Sequence, residues 1–186
     1  LKIIARTGLG VDPSRDHLHS AQEFRVWGTN QPGSNSLSVT ELVFGQMIAL
    51  VRHTFEANRA VKENRWSEYL KFLGVELAEK TLGIIGMGNI GTRVAICARA
   101  FEMNFLVYDP YIPESHVTAL GGKWVGLEEL LGESDVVTIH CPLTAETRGM
   151  IDERRLALMK ASAYLINAAR GGIVNEDALW RALKQR

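Results

Sequence analysis

The stretch that decides the fold is TLGIIGMGNIG (residues 81–91), followed by a helix-like segment and then by FLVYD (residues 105–109). A short apolar run leads into three glycines with the spacing G-x-G-x-x-G, namely Gly86, Gly88 and Gly91. Asp109 stands 18 positions after the last of them (109 − 91). A strand, a glycine turn, a helix and a second strand that ends in an acid are what a dinucleotide-binding unit requires.

Each glycine of this motif is expected to have its own steric role. Gly86 permits the tight turn out of the strand, Gly88 lets the backbone approach a pyrophosphate, and Gly91 allows the helix to pack closely on the sheet. The N–H groups and the positive dipole end at the start of the helix would bind the phosphates.

The acidic residue at position 109 indicates which dinucleotide the chain is expected to bind. Its carboxylate would accept hydrogen bonds from the adenosine ribose and would repel a 2′-phosphate. No arginine follows it, because the next residues are Pro110 and Tyr111, so NAD is favoured over NADP. Two alternatives stay open here: a glycine-rich turn without a ligand, and a methyltransferase that binds S-adenosylmethionine through a similar loop.

Composition excludes several other classes of function. Lys plus Arg equals Asp plus Glu, 21 each among 186 residues, so nucleic acid is not an expected partner. The longest apolar stretch, residues 42–51, is too short to span a bilayer. Two cysteines, Cys97 and Cys141, lack metal-ligand spacing and are typical of a reducing cytoplasm. Because the chain begins with leucine and ends inside a predicted helix, we expect it to be cut from a longer protein at both ends.

Hydrophobic periodicity predicts an α/β fold with a doubly wound parallel sheet. Strands are predicted at 1–5, 24–27, 81–85, 105–108, 135–141 and 164–168. One long helix is predicted at 36–64, and further helices at 89–102, 127–131 (capped by Gly132), 152–159 and from 175 onward. The strand ends at Ile85, Tyr108, Cys141 and Ala168 should meet at one edge of the sheet, where ligands of such folds bind.

A second motif, NAARGG (residues 167–172), follows the last apolar strand. Arg170 stands between small residues and two glycines, so the backbone of a loop would position it. Its guanidinium is a rigid fork of donors that suits a carboxylate and could polarise a neighbouring carbonyl. The alternative is a surface arginine that pairs with an acid such as Glu176.

With these motifs the chain resembles the D-isomer-specific 2-hydroxyacid dehydrogenases, most closely the phosphoglycerate dehydrogenases among them. The segments that match, in family order, are ARTGLGVD (5–12), PGSNSLSVTE (32–41), GIIGMGNIG (83–91), VYDP (107–110), HCPL (140–143) and NAARGGIV (167–174). The resemblance implies that residues 1–34 are the tail of a flavodoxin-like substrate domain. Residues 35–186 would form a Rossmann-type NAD-binding domain that is incomplete at its C-terminal end.

The resemblance also implies roles for individual residues. Arg170 would be the catalytic, substrate-binding arginine, and Gly10 would offer its amide to the substrate carboxylate. Cofactor contacts beyond the glycines and Asp109 would come from Asn89 and Ile90, which cover the pyrophosphate, and from Cys141, Ala168 and Ala169, which line the nicotinamide side. Leu9, Pro142 and Arg170 would also contact the cofactor. The family's catalytic histidine and its partner glutamate would lie beyond Arg186, and His140 is interpreted as structural.

The function that follows is hydride transfer between NAD(H) and a D-2-hydroxy acid/2-oxo acid pair, with 3-phosphoglycerate as one candidate substrate. Hydroxypyruvate or glyoxylate reduction is the alternative reaction. The alternative class is a non-catalytic, NAD-sensing module like the family's corepressor relatives. We expect a homodimer to which the apolar helix at 42–55 contributes, no metal, no membrane contact, and no turnover by these 186 residues alone.

Overall fold

The computed structural model describes residues 2–5, 21 and 24–184, and its architecture is α/β. The strands are β1 (Ile3–Ala5), β2 (Trp27–Thr29), β3 (Thr81–Ile85), β4 (Asn104–Tyr108), β5 (Lys123–Trp124), β6 (Val136–Ile139) and β7 (Tyr164–Asn167). The helices are α1 (Ser36–Val51), α2 (Thr54–Lys62), α3 (Asn89–Ala100), α4 (Glu114–Ala119), α5 (Leu127–Glu133), α6 (Glu153–Leu156) and α7 (Glu176–Lys184), with a 3₁₀ helix at Trp66–Phe72. Among the described residues, no helix is both long and apolar enough to cross a membrane.

The main sheet has five parallel strands in the order β5-β4-β3-β6-β7. The chain starts at the centre with β3, adds β4 and β5 on one side, and then adds β6 and β7 on the other. This reversal between β3 and β6 is the topological switch point at which doubly wound sheets bind ligands. The predicted doubly wound parallel sheet is confirmed.

Both faces of this sheet are covered, so its inner strands are largely buried and mostly apolar. One core packs Leu82 and Ile84 of β3 against α1 and α3, where Phe44 stacks on Phe101 at 5.2 Å between ring centres. The other core packs Ile85 with α5 and with the segments that follow β6 and β7. Alternate residues of β3 thus point into two different cores, as the period of two requires.

The prediction of one long helix at 36–64 is wrong, because the helix is interrupted at Arg52 and His53. The φ of His53 is 51°, in the left-handed region, and α2 starts at the next residue. The carbonyl of Val51 accepts a hydrogen bond from the N–H of Val75 at 3.0 Å instead of one from the next helical turn. Gly74 lies so close that a Cβ there would overlap this carbonyl. A tertiary contact therefore ends α1.

Several predicted boundaries also need correction. Asp152 and Asn175 precede their helices and cap them, since their Oδ1 atoms accept from the N–H groups of Arg155 and Ala178, each at 2.9 Å. The helix at 127–131 continues through Gly132 to Glu133. The strand predicted at 24–27 lies at Trp27–Thr29 and pairs in parallel with β1 in a separate two-stranded sheet. The 3₁₀ helix, α4 and β5 were not predicted at all.

Candidate cofactor-binding site

The ends of four strands meet at one edge of the main sheet, as predicted. The register pairs Ile85 of β3 with Tyr108 of β4 and with Ile139 of β6, and it pairs Ile139 with Asn167 of β7. The loops that leave these ends contain the glycine motif, Asp109, the HCPL segment and the NAARGG segment. Parallel strands therefore gather all the predicted site residues in the described part of the chain at the switch-point edge.

The three glycines of the motif differ in what surrounds them. Gly86 has φ +93°, and a Cβ there would lie 2.7 Å from the backbone nitrogen of Cys141. A Cβ on Gly91 would overlap the carbonyl oxygen of Gly86. A Cβ on Gly88 would meet nothing within 4 Å. The protein itself thus requires two of the glycines, whereas the open space at Gly88 fits a ligand that approaches the backbone.

Helix α3 starts directly behind this open space, with Gly88 as its N-cap. Its first turn has no acidic residue and no side-chain cap, so its N–H groups and dipole suit an anionic group such as a pyrophosphate. Asn89 and Ile90 are the first two residues of the helix, and their expected contact with the pyrophosphate stays a prediction. The side-chain Nδ2 of Asn89 lies close to Gly33, at 3.2 Å from the position that a Cβ on Gly33 would take.

The carboxylate of Asp109 is fixed by backbone donors on both oxygens. The N–H of Met87 in the glycine loop donates to Oδ2 at 2.8 Å, and the N–H of Tyr111 donates to Oδ1 at 2.9 Å. The indole of Trp124 donates to the Asp109 carbonyl at 3.0 Å. Each carboxylate oxygen keeps further acceptor capacity, so this half-buried group can still bind two ribose hydroxyls.

A cleft of about 190 Å³ opens beside Asp109 between the loops that follow β4 and β6. Its apolar walls include Pro110, Pro142 and Met150. This volume is below the ~300–1,000 Å³ typical of a drug-sized ligand, so it suits a single flat ring system such as an adenine. We call it the adenosine cleft.

At the rim of the adenosine cleft, the Tyr111 hydroxyl donates to Oε2 of Glu146 at 2.8 Å. This hydrogen bond and the charge of Glu146 raise the pKa of Tyr111. No sequence motif predicts the pairing, because the two residues are 35 positions apart in loops without regular structure.

The HCPL segment supplies one wall of the adenosine cleft. Burial raises the pKa of the Cys141 thiol, and the charge of Asp109 raises it further, so the thiol stays protonated and is a poor nucleophile. The structure places Cys141 beside Asp109, and its expected contact with the nicotinamide stays a prediction.

Burial lowers the pKa of His140 to about 4, and its Nε2 lies 2.9 Å from the Thr138 hydroxyl. A neutral, inward-facing His140 fits the structural interpretation.

The side chain of Asn167 brackets the loop that presents Arg170. Its Nδ2 donates to the Arg170 carbonyl at 2.9 Å, and its Oδ1 accepts from the Ala169 N–H at 3.1 Å. On the far side of the loop, the Gly149 N–H donates to the Gly172 carbonyl at 2.7 Å. Sequence patterns place Asn167 in the motif, but only the structure shows that it is the bracket.

The guanidinium of Arg170 is exposed, and its Nη1 donates to the carbonyl of the preceding Ala169 at 2.8 Å. Within residues 24–184 it forms no ion pair, so the alternative of a bridge to Glu176 is not found there. Ala168 and Ala169 are half-buried at the end of β7. The predicted contacts of Leu9 and Gly10 lie outside the described residues.

Comparison with known proteins agrees with this geometry. Residues 44–186 match the family model described as "D-isomer specific 2-hydroxyacid dehydrogenase, NAD binding domain". The D-3-phosphoglycerate dehydrogenase of Archaeoglobus fulgidus is 43% identical over 184 residues, which are 99% of this chain and 34% of that protein. The hydroxypyruvate reductase of Thermotoga maritima is 43% identical over 180 residues, 97% of this chain and 57% of that protein.

A solved structure shows the same fold. The D-lactate dehydrogenase of Aquifex aeolicus, complexed with NAD and lactic acid, superposes with a TM-score of 0.88 at 39% identity. The alignment covers 100% of this chain and 55% of that one. The chain thus spans about a third of the phosphoglycerate dehydrogenase it matches and about half of the other two proteins. On these matches and on its own glycine loop, the chain belongs to the D-isomer specific 2-hydroxyacid dehydrogenases and includes their NAD-binding domain.

Proposed function

We propose that the whole protein is an NAD-dependent oxidoreductase that interconverts a D-2-hydroxy acid and its 2-oxo acid in the cytoplasm. The observation that supports this most strongly is the position of Arg170, an exposed guanidinium on a bracketed loop at the same sheet edge as the glycine loop. The end of β7 is two strands away from the end of β3. At a strand spacing of ~4.8 Å, this is a distance of about 10 Å.

In the proposed reaction, bound NAD(H) supplies or accepts the hydride. Arg170 binds the substrate carboxylate through parallel N–H donors and places a permanent positive charge beside the adjoining carbonyl. This charge stabilises the negative charge that develops on the carbonyl oxygen. His140 is unsuited as the general acid, because burial lowers its pKa to about 4 and it is neutral near pH 7. The resemblance places the family's histidine beyond Arg186.

For the cofactor, we propose NAD rather than NADP. The glycine loop, the start of α3, Asp109 and the adenosine cleft follow one another in the order of pyrophosphate, ribose and base. The N–H of Met87 holds the carboxylate of Asp109 beside the glycine loop, where we expect it to bind the ribose and to repel a 2′-phosphate. The proposed cofactor contacts are those of Leu9, Gly86, Gly88, Asn89, Ile90, Gly91, Asp109, Cys141, Pro142, Ala168, Ala169 and Arg170, with Gly10 and Arg170 on the substrate.

For the substrate, we propose 3-phosphoglycerate and its oxo acid first, because a phosphoglycerate dehydrogenase is among the most similar relatives. Hydroxypyruvate and glyoxylate are the second choice, since one hydroxypyruvate reductase is 43% identical, against four phosphoglycerate dehydrogenases at 40–43%. The relatives named here are all enzymes, and they give the corepressor hypothesis no support. The whole protein should be mixed with NADH and with 3-phosphohydroxypyruvate, hydroxypyruvate, glyoxylate or pyruvate, and the nicotinamide absorbance followed.

The expected result is loss of absorbance with one or more of the four acids. If NADH binds tightly and no acid is reduced, the sensor hypothesis replaces the enzyme. The 186-residue chain serves as the negative control, since we expect it to bind NADH weakly and to catalyse nothing.

We also propose that the protein forms a homodimer. Leu42 on α1 and Phe55 on α2 are 55% and 66% exposed, and Trp66 in the 3₁₀ helix is 71% exposed. Exposed large apolar side chains on elements that contact one another favour an interaction surface. Sedimentation of the whole protein should give twice the mass of the chain, and Phe55→Glu should shift it to the monomer. A wild-type monomer at micromolar concentration would contradict the proposal.

A further inference from the structure

The hydrogen bond between Tyr111 and Glu146 joins the two loops that border the adenosine cleft. Tyr111 lies in the loop after β4, and Glu146 lies in the loop after β6. These strands flank β3 on either side, so the bond at 2.8 Å crosses the sheet edge above the glycine loop. Both side chains line the cleft.

Each partner is held by its own loop. The backbone N–H of Tyr111 donates to Asp109, the proposed ribose ligand. Glu146 lies in a tight turn in which the Thr147 hydroxyl donates to the Pro142 carbonyl at 2.6 Å and the Thr144 N–H donates to the Thr147 hydroxyl at 2.8 Å. The Tyr111–Glu146 bond therefore joins two loops that are each fixed by their own hydrogen bonds.

A purely stabilising role explains this bond poorly. The Tyr111 side chain is 81% exposed, so its ring buries little apolar surface. Hydrogen bonds and charge pairs in open solvent contribute little to the stability of a fold. The same bond between two loops on either side of a ligand cleft can still change how readily the cleft opens.

We propose that Tyr111 and Glu146 are positioning residues that clasp the adenosine end of the cofactor, a role that rests on the proposed function. The bond holds the loops at the separation that a flat base requires. It opens when the cofactor enters or leaves and closes again once the base is in the cleft. The clasp is expected to act on cofactor release more than on association, because most affinity differences between related complexes arise from dissociation.

The test uses Tyr111→Phe, Glu146→Ala and the double variant in the whole protein, with NADH fluorescence titration and stopped-flow release. Each single change should raise the Kd for NADH about three- to tenfold, mainly through faster release. The double variant should be no weaker than either single variant by more than about twofold, because both changes break the same bond. The KM for NADH should rise, whereas the KM for the oxo acid should not.

Two further variants distinguish loss of the hydrogen bond from loss of the negative charge and from loss of any exposed carboxylate. Glu146→Gln keeps an acceptor for the hydroxyl, so its Kd should stay within about twofold of the wild-type value and below that of Glu146→Ala. Glu153→Ala removes a different exposed carboxylate, one that pairs with Arg181 at 3.1 Å outside the cleft, and should leave the Kd unchanged. Thermal unfolding should show all five variants folded.

Unchanged NADH release in Tyr111→Phe would overturn the clasp, and so would losses that multiply in the double variant. A Glu146→Gln variant as weak as Glu146→Ala would assign the effect to charge and would also overturn it. These outcomes differ from failure of the proposed function, in which the wild-type protein itself would not bind NADH.

Discussion

The glycine loop allows a prediction in which stability and cofactor affinity separate. Gly88→Ala and Gly91→Ala add the same methyl group three positions apart. At Gly88 the backbone is extended, with φ −75° and ψ −156°, and the new Cβ would meet nothing within 4 Å. At Gly91 it would overlap the carbonyl oxygen of Gly86, so α3 must move away from the loop that ends β3.

The two substitutions should therefore affect stability very differently. Gly88→Ala should change the free energy of unfolding by no more than about 0.5 kcal/mol. Gly91→Ala forces backbone against backbone, and its cost should reach or exceed the upper end of the ~1–3 kcal/mol typical of overpacking. At about 2–4 °C per kcal/mol for a chain of this size, that lowers Tm by roughly 6–12 °C.

Gly88→Ala should weaken NADH binding strongly, although it should change the stability of the fold little. A methyl group at this position would fill the space through which the backbone approaches the pyrophosphate. Loss of one hydrogen bond to a charged group costs about 1.5–3 kcal/mol, or roughly a ten- to hundredfold rise in Kd. Circular dichroism melts and NADH fluorescence titrations measure the two quantities on the same samples. A Gly88→Ala protein that binds NADH like the wild type would refute the reasoning, and so would one as unstable as Gly91→Ala.

Three further substitutions test the acid, the loop bracket and the buried histidine. Asp109→Asn removes the negative charge that would face a 2′-phosphate, and the repulsion between two unit charges 4 Å apart in water is ~1 kcal/mol. The affinity for NADPH relative to NADH should therefore rise at least about fivefold, and an unchanged ratio in paired titrations would contradict this. Asn167→Ala removes two hydrogen bonds from the loop of Arg170. It should lower kcat/KM for the oxo acid about tenfold or more while the Kd for NADH stays within twofold; equal losses in both would argue against the bracket. The pKa of His140 in the folded protein is about 4, below the ordinary 6.5, so the unfolded chain binds the proton first. The contribution of neutral His140 to the free energy of unfolding should be complete above about pH 6.5. It should fall by up to ~3 kcal/mol as the pH drops towards 4. His140→Gln should remove this part of the pH dependence of Tm, and identical pH profiles would show that His140 is not its source.

The switch-point edge could be predicted from sequence because its determinants are local. The glycines, the acid and the arginine are each local signals, because each lies within a few residues of the end of its own strand. The parallel topology then brings the strand ends together without any further information, which is why Asp109 and Arg170 lie at the same edge of the sheet.

The remaining features depend on contacts between distant parts of the chain. Hydrophobic periodicity continues through His53, whereas the helix ends there because Val75 and Gly74, distant in sequence, contact the carbonyl of Val51. The two-residue strand β5 exists because it pairs with β4, and its own sequence has no strand pattern. The bond between Tyr111 and Glu146 likewise follows from how two irregular loops are placed.

The most direct test of the account is to measure NADH affinity and oxo-acid turnover together in wild-type protein and Arg170→Ala. Arg181→Ala, which removes an arginine paired with Glu153, is the matched control. Loss of a donor that stabilises developing charge typically costs ~10²–10³ in kcat. We predict a fall of at least this size in turnover by Arg170→Ala, with the Kd for NADH within twofold of the wild-type value. Turnover by Arg170→Ala equal to that of the wild type would contradict the central claim that Arg170 acts on the substrate beside the cofactor.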